Sequence, residues 1–181
     1  HYIMTTTTGG AANVLSKLED YLQTEWPELD VWLTSVTDQY ATASICGPNS
    51  KNILKKLFPS IEFNDENFPH MSFKNAKLDN VDCRIMRISF TGEHSYEINI
   101  DSKYGKSLWE KCMETGKEYN ITPYGTETMH LLRAEKGFII VGQDTDGTMT
   151  PIDLQMDWIV SKKKYDFIGK RSLYRSDTMR E

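Results

Sequence analysis

Apolar residues recur every three to four positions at Val14, Leu15, Leu18 and Leu22, predicting an amphipathic helix opened by Thr8-Gly9-Gly10 and stopped by Trp26-Pro27. Two runs rich in β-branched and aromatic residues follow, 31–37 and 40–46, and read as strands. Gly47-Pro48-Asn49-Ser50 then opens a short helix with Ile53, Leu54 and Leu57 inward and the Ser50 hydroxyl as its cap. From 58 to 80 the chain is polar and turn-rich, and a boundary between two subdomains is expected here. Beyond it, a long strand over 81–90 turns at Thr91-Gly92 and returns as 95–100, the pattern of a β-hairpin. A helix capped by Asp101 or Ser102 buries Leu108, Trp109, Cys112 and Met113 and ends at Gly116. Another runs from about Thr126 to Glu135, closed by Gly137, and 156–160 reads as a strand after the loop at 142–151. The expected fold class is α+β with antiparallel sheets, as two small subdomains at 1–70 and 71–181.

Composition narrows the function classes. The 181 residues are 39% hydrophobic, enough for a sizeable core, and no apolar stretch approaches ~20 residues. No membrane span and no secretory leader are expected, and a cytoplasmic location follows from that reading. A net charge of −5 argues against a nucleic-acid binder that relies on bulk charge. Cys46, Cys83 and Cys112 form no paired or zinc-spaced set, and His1, His70, His94 and His130 are scattered, so reduced thiols and no metal are expected. The chain opens on His1 and closes on Arg180-Glu181, which reads as a piece cut from a longer protein.

Few residues invite chemistry by spacing alone. Asp144-Thr145-Asp146-Gly147 resembles the start of a calcium loop, but Gln155 stands where the bidentate glutamate is required, so a turn is expected. Glu97 lies in a strand directly after the hairpin turn and faces away from Tyr96 and Ile98. It is either a solvent-facing carboxylate or a buried one that needs a donor, since burial unpaired costs on the order of several kcal/mol. A planar heterocycle carrying an amino group beside a ring N–H satisfies both carboxylate oxygens. Arg133 and Glu135 cannot face each other along a helix, so either one is free to brace a neighbouring segment. Thr5 to Thr8 offer hydroxyls and free N–H groups at a helix N-terminus, and a polar cap is the plainer reading.

Four segments together resemble a known family. Ser89-Phe90-Thr91-Gly92-Glu93-His94-Ser95-Tyr96-Glu97-Ile98 is similar to the Y-T-G-E-x-G-[YF]-E-[IV] hairpin of aminomethyltransferases, the tetrahydrofolate-dependent T-proteins of glycine cleavage. Leu131 to Gly137 resembles their L-R-L-E-A-G helix end, Val141 to Asp146 with Thr150-Pro151 resembles Y-G-x-D-x-D…[ST]-P, and Asp166 to Lys170 resembles D-F-I-G-[RK]. Within that superfamily HYIMTTTTGGAANVL, LQTEWPELDVW and ITPYGTETMHLLRAEKGFIIVGQDTDGT look like the folate domain of the alpha subunits of heterotetrameric sarcosine oxidases.

The resemblance implies a domain that passes the methylene of oxidised sarcosine to tetrahydrofolate, giving glycine and methylenetetrahydrofolate. It also implies partner subunits in a heterotetramer, with FAD, FMN and NAD held in other parts of the complex. Glu97 matches the glutamate that binds the amino edge of the pterin. Phe90 falls where T-proteins carry a tyrosine, so stacking survives and a hydroxyl hydrogen bond does not. Met129 replaces a T-protein arginine and favours the sarcosine oxidase branch, while Met4 and Thr6 align with a strand end lining the folate pocket. The family's catalytic aspartate aligns upstream of His1, so no catalytic residue is assigned here. An aminomethyltransferase, a dimethylglycine-oxidising relative, or a folate-binding module without transfer chemistry are the alternatives.

Overall fold

Four strands carry the core of the computed structural model, which describes residues 1–174. They are β1 (Tyr40–Cys46), β2 (Phe73–Leu78), β3 (Val81–Met86) and β4 (Ser95–Asp101), arranged β1-β4-β3-β2 with every neighbouring pair antiparallel. Among the described residues five α-helices accompany them: α1 (Ala11–Thr24), α2 (Ser50–Leu57), α3 (Gly105–Gly116), α4 (Thr126–Glu135) and the single turn α5 (Lys170–Leu173). Strand alternation puts Ile45, Ile85, Tyr96, Ile98 and Ile100 on one sheet face, where Ile53 and Leu54 of α2 and Leu108 and Cys112 of α3 close over them. Phe63 and Phe68 extend this core, both within 6 Å of the Tyr96 ring. The architecture is therefore the expected mixture of helices and antiparallel sheet. Residues on either side of position 70 share one sheet and one core, since β1 pairs along its whole length with β4. The last seven residues of the expected second subdomain lie outside the described residues.

Several elements differ from the sequence reading. Residues 31–36 form no strand: no neighbouring edge pairs with them, and Trp32 is 91% exposed. The expected strand at 156–160 is a 3₁₀ turn, Asp157–Ile159. β3 stops at Met86 rather than Phe90, and an irregular stretch over 87–94 links it to β4. β2, hidden in the turn-rich stretch, joins β3 through Asp79 and Asn80, both with positive φ (48° and 67°), as a tight hairpin requires. Trp109 is 51% exposed and is not part of the buried face of α3.

The caps also differ. A 3₁₀ turn, Thr8–Gly10, leads into α1, and neither Thr7 nor Gly10 donates or accepts a side-chain capping bond there. None of the residues of α1 is fully buried, although its apolar stripe is half-covered. Ser50 does not cap α2. It is the first residue of the helix, and its hydroxyl donates instead to the His94 carbonyl at 2.9 Å, which also accepts from the Gly47 N–H. That pair of bonds ties the start of α2 to the start of β4. Residues 1–7 carry no strand, contrary to the placement of Met4 and Thr6 at a strand end.

Candidate functional site

The pleat of β4 sorts its residues cleanly. Tyr96, Ile98 and Ile100 enter the core, so Ser95, Glu97 and Asn99 lie on the opposite face, away from α2 and α3. Glu97 pairs in register with Ser44 of β1 and Met86 of β3; Asn99 pairs with Thr42 and Arg84. Glu97 sits mid-sheet, half-buried, and among the described residues its carboxylate makes no hydrogen bond or ion pair. Burial pushes its carboxyl above the usual carboxylate range.

Asn99 is the complement. Its Oδ1 accepts from the Thr42 hydroxyl at 2.9 Å, while its Nδ2 is buried with no partner. An acceptor without donors and a donor without an acceptor thus stand two residues apart on one face, ~7 Å along the strand. Buried polar groups in native proteins are overwhelmingly paired, so this couple stands out as an acceptor and a donor both open to a further polar group.

Tyr124 closes one side. It precedes α4, and Cys46 at the end of β1 donates a thiol hydrogen bond to its hydroxyl at 3.3 Å. Its phenol is pushed up to about 12, by burial first and then by the Cys46 contact; the Ser44 hydroxyl pulls the other way, and the Glu97 charge adds to the rise. Tyr124, Ser44 and Asn99 were not singled out from the sequence. Asn99 was within reach, being two residues from Glu97 with the same facing. Tyr124 and Ser44 come from elements distant in the chain, and no local spacing announces them.

The other residues tied to the site by resemblance are placed less closely. The Phe90 ring is 42% exposed and lies 6.4 Å from the His130 ring of α4. Met129, the neighbour of His130, is half-buried on α4, with its N–H donating to Gly125 O at 3.1 Å. Met4 is 62% exposed, and the exposed Thr6 hydroxyl donates to the Thr7 carbonyl. Among the described residues no hydrogen bond, ion pair or ring contact joins Met4, Thr6, Phe90 or Met129 to Glu97.

Two devices hold α4 against its surroundings. Gly92 has φ +78°, and a Cβ there would meet the Lys136 stem, so the 87–94 stretch lies directly against the end of α4. Arg133, almost fully buried, bonds the Phe138 carbonyl at 3.0 Å and grips the Asp144 carboxylate with both terminal nitrogens. Asp144 in turn accepts the Ile140 N–H at 2.8 Å. Arg133 is thus the brace of a neighbouring segment, and Asp144 belongs to that brace. No group of three or more metal-ligating side chains occurs among the described residues, and no helix of the described residues is long and apolar enough to cross a membrane.

With the antiparallel sheet, the strand carrying Glu97 and the braced helix end in place, the class follows from the sequence match: residues 1–164 match the family model of the GCVT N-terminal domain, and the chain belongs to that family. Among its relatives, the chain is 58% identical over 181 residues to the sarcosine oxidase subunit alpha of Corynebacterium sp. (strain P-1), covering 99% of this chain and 19% of that one. It is 41% identical over 176 residues to the sarcosine oxidase subunit alpha of Rhizobium meliloti (strain 1021), covering 96% and 18%. An aminomethyltransferase of Thermoanaerobacter sp. (strain X514) is 33% identical over 147 residues, covering 81% and 39%. The chain therefore spans about a fifth of the length of the sarcosine oxidase subunits it matches.

Proposed function

We propose that this chain is the tetrahydrofolate-binding, one-carbon-transfer part of a sarcosine oxidase alpha subunit. The observation that carries the reading is Glu97: a half-buried carboxylate in mid-sheet, without a partner, raised by burial, beside the orphaned amide of Asn99. A reduced pterin fits this set, because its amino group and adjacent ring N–H donate to the two oxygens of Glu97 while its carbonyl or ring nitrogen offers Asn99 an acceptor. Tetrahydrofolate would supply the two amine nitrogens that take the one-carbon unit, their two N–H hydrogens ending on the nitrogen of glycine.

The chain's own residues then orient rather than react. Glu97 fixes the plane of the ring, Asn99 its register along β4, and Tyr124 bounds it on the side of β1. Holding two reactants in register can supply several kcal/mol of a barrier, and that is the contribution assigned here. Phe90 offers an exposed ring face for stacking, and Met129, Met4 and Thr6 are assigned to the periphery of the same pocket by family resemblance. By family resemblance, FAD, FMN and NAD are assigned in this reading to other parts of a heterotetramer. The acid–base step is assigned to a residue outside this chain. A cytoplasmic setting accompanies the reading.

The test uses the assembled enzyme. Glu97→Ala is expected to abolish folate-dependent formation of methylenetetrahydrofolate and to leave sarcosine oxidation by the flavin largely intact. Equal loss of both activities would overturn the assignment of Glu97.

A further inference from the structure

A cleft of about 290 Å³ opens at the beginning of β4 and is lined by His70, Arg87, Ser89, His94, Ser95 and Phe138, with Gly92 and Glu93 at its turn. Its chemistry differs from that of the Glu97 face. Arg87 is mostly buried, and only one of its guanidinium nitrogens is engaged: Nη1 donates to the Phe68 carbonyl at 2.6 Å and pairs with Asp65 at 2.7 Å. Its Nε and Nη2 make no bond among the described residues, so two donors of a planar fork are left over. The Ser89 hydroxyl oxygen is buried in the same cleft with no hydrogen-bond partner. A fork with two spare nitrogens beside an orphaned hydroxyl is suited to a group with two coplanar acceptor oxygens.

The field in the cleft has the matching sign. Burial is the largest influence holding the His94 imidazole below its ordinary value, and the positive charges of Arg87 and Lys51, together with His70, push it the same way. Asp65 alone opposes them. Asp65 is well exposed and already committed to Arg87, whose proximity holds its carboxyl below the usual range. His94 is fixed by its Nε2 contact with the Tyr96 hydroxyl at 3.0 Å, which leaves the other ring nitrogen free. Glu93 lies at the turn with its side chain in solvent, where screening weakens its repulsion.

We propose that the cleft bounded by Arg87, Ser89, His94 and His70 is an oxyanion site that takes a carboxylate or phosphate group. The Arg87 fork and the Ser89 hydroxyl contact its oxygens, and Phe138 shields one side. The site is separate from the Glu97 face but adjoins it, since Ser95 lines the cleft and shares that face two residues earlier on β4. Two sources offer this chemistry: a free small anion, or the acidic tail of a ligand whose ring rests on Glu97. The second source rests on the folate reading; the first does not.

Titration of the protein with inorganic phosphate, followed by backbone amide NMR, tests the site. Saturable shifts centred on Ser89, Gly92 and His94 are expected. Ser89→Ala removes a hydroxyl that no protein group uses, so it leaves the fold intact and is expected to weaken phosphate binding roughly five-fold, the equivalent of one hydrogen bond. Arg87→Lys keeps the charge but loses the fork, and is expected to weaken it further. Absence of saturable shifts in the wild type, or an unchanged affinity in Ser89→Ala, would overturn the proposal. Repeating the titration in saturating 5-formyltetrahydrofolate separates the sources: competition assigns the site to the folate's carboxylate tail, and undisturbed phosphate binding assigns it to a free anion. Failure of folate to bind would leave the phosphate result standing and would count only against the folate reading.

Discussion

Arg133 on α4 and Asp144, eleven residues downstream, clasp the intervening segment between them. The guanidinium holds the Phe138 carbonyl and both oxygens of Asp144, and Asp144 accepts the Ile140 N–H. The Ile140 N–H first, and the Arg133 side chain next, keep the Asp144 carboxyl below the usual carboxylate range. A group lowered in the folded state stabilises above its ordinary value and loses that contribution as pH falls through the lowered one. Hydrogen exchange at Ile140 is therefore expected to be slow at neutral pH and to lose its protection, beyond the intrinsic pH effect, on acidification below the ordinary aspartate range. Arg133→Lys is expected to lower the Tm and lose that protection at all pH values, because an ammonium cannot reproduce a two-nitrogen grip.

Glu97 has the opposite sign. Burial raises its carboxyl, so the ligand-free fold is most stable where Glu97 is protonated and loses stability as pH rises from the ordinary carboxylate value through the raised one. Glu97→Gln is expected to remove that slope and raise the Tm of the ligand-free protein at neutral pH. The same variant is expected to bind reduced folate at least ~100-fold more weakly, for two charge-assisted hydrogen bonds amount to about 3 kcal/mol or more. Thermal melts with and without ligand over a pH series check both halves.

Gly92→Ala is expected to destabilise the protein by about 1–2 kcal/mol, from the left-handed backbone conformation that the residue requires. The added Cβ would also press on the Lys136 stem. Because Gly92 sets the path of the chain into β4, the variant should weaken ligand binding as well as lower the midpoint of urea unfolding.

The thiols should separate under alkylation. Burial pushes Cys83 and Cys112 each up to about 11, whereas Cys46 is only half-buried at the end of β1. Iodoacetamide at pH 8 in the native state is expected to label Cys46 first, and the other two only on unfolding; peptide mass spectrometry reads the order.

Much of this molecule was legible in its sequence, for local reasons. The helices over Ala11–Thr24 and Thr126–Glu135 follow from apolar spacing with Gly and Pro punctuation, and β1 from its β-branched and apolar run. β2 was not legible because it is polar, with Lys74, Asn75 and Lys77 on an edge strand, and its turn is made by Asp79 and Asn80 rather than glycine. Residues 31–36 show the reverse: strand-like composition gives no strand without an edge to pair with. At the site, strand alternation alone gives the facing of Glu97. The roles of Ser44 and Tyr124 depend on β1 lying beside β4 and on the chain returning before α4, which are long-range contacts that no local pattern encodes.

The most direct measurement is a titration of the protein with 5-formyltetrahydrofolate, followed by tryptophan fluorescence, in parallel with Glu97→Ala. Saturable binding in the wild type that is lost in Glu97→Ala, with both proteins folded by circular dichroism, is the predicted result. Equal affinity in the two proteins would contradict a folate site centred on Glu97.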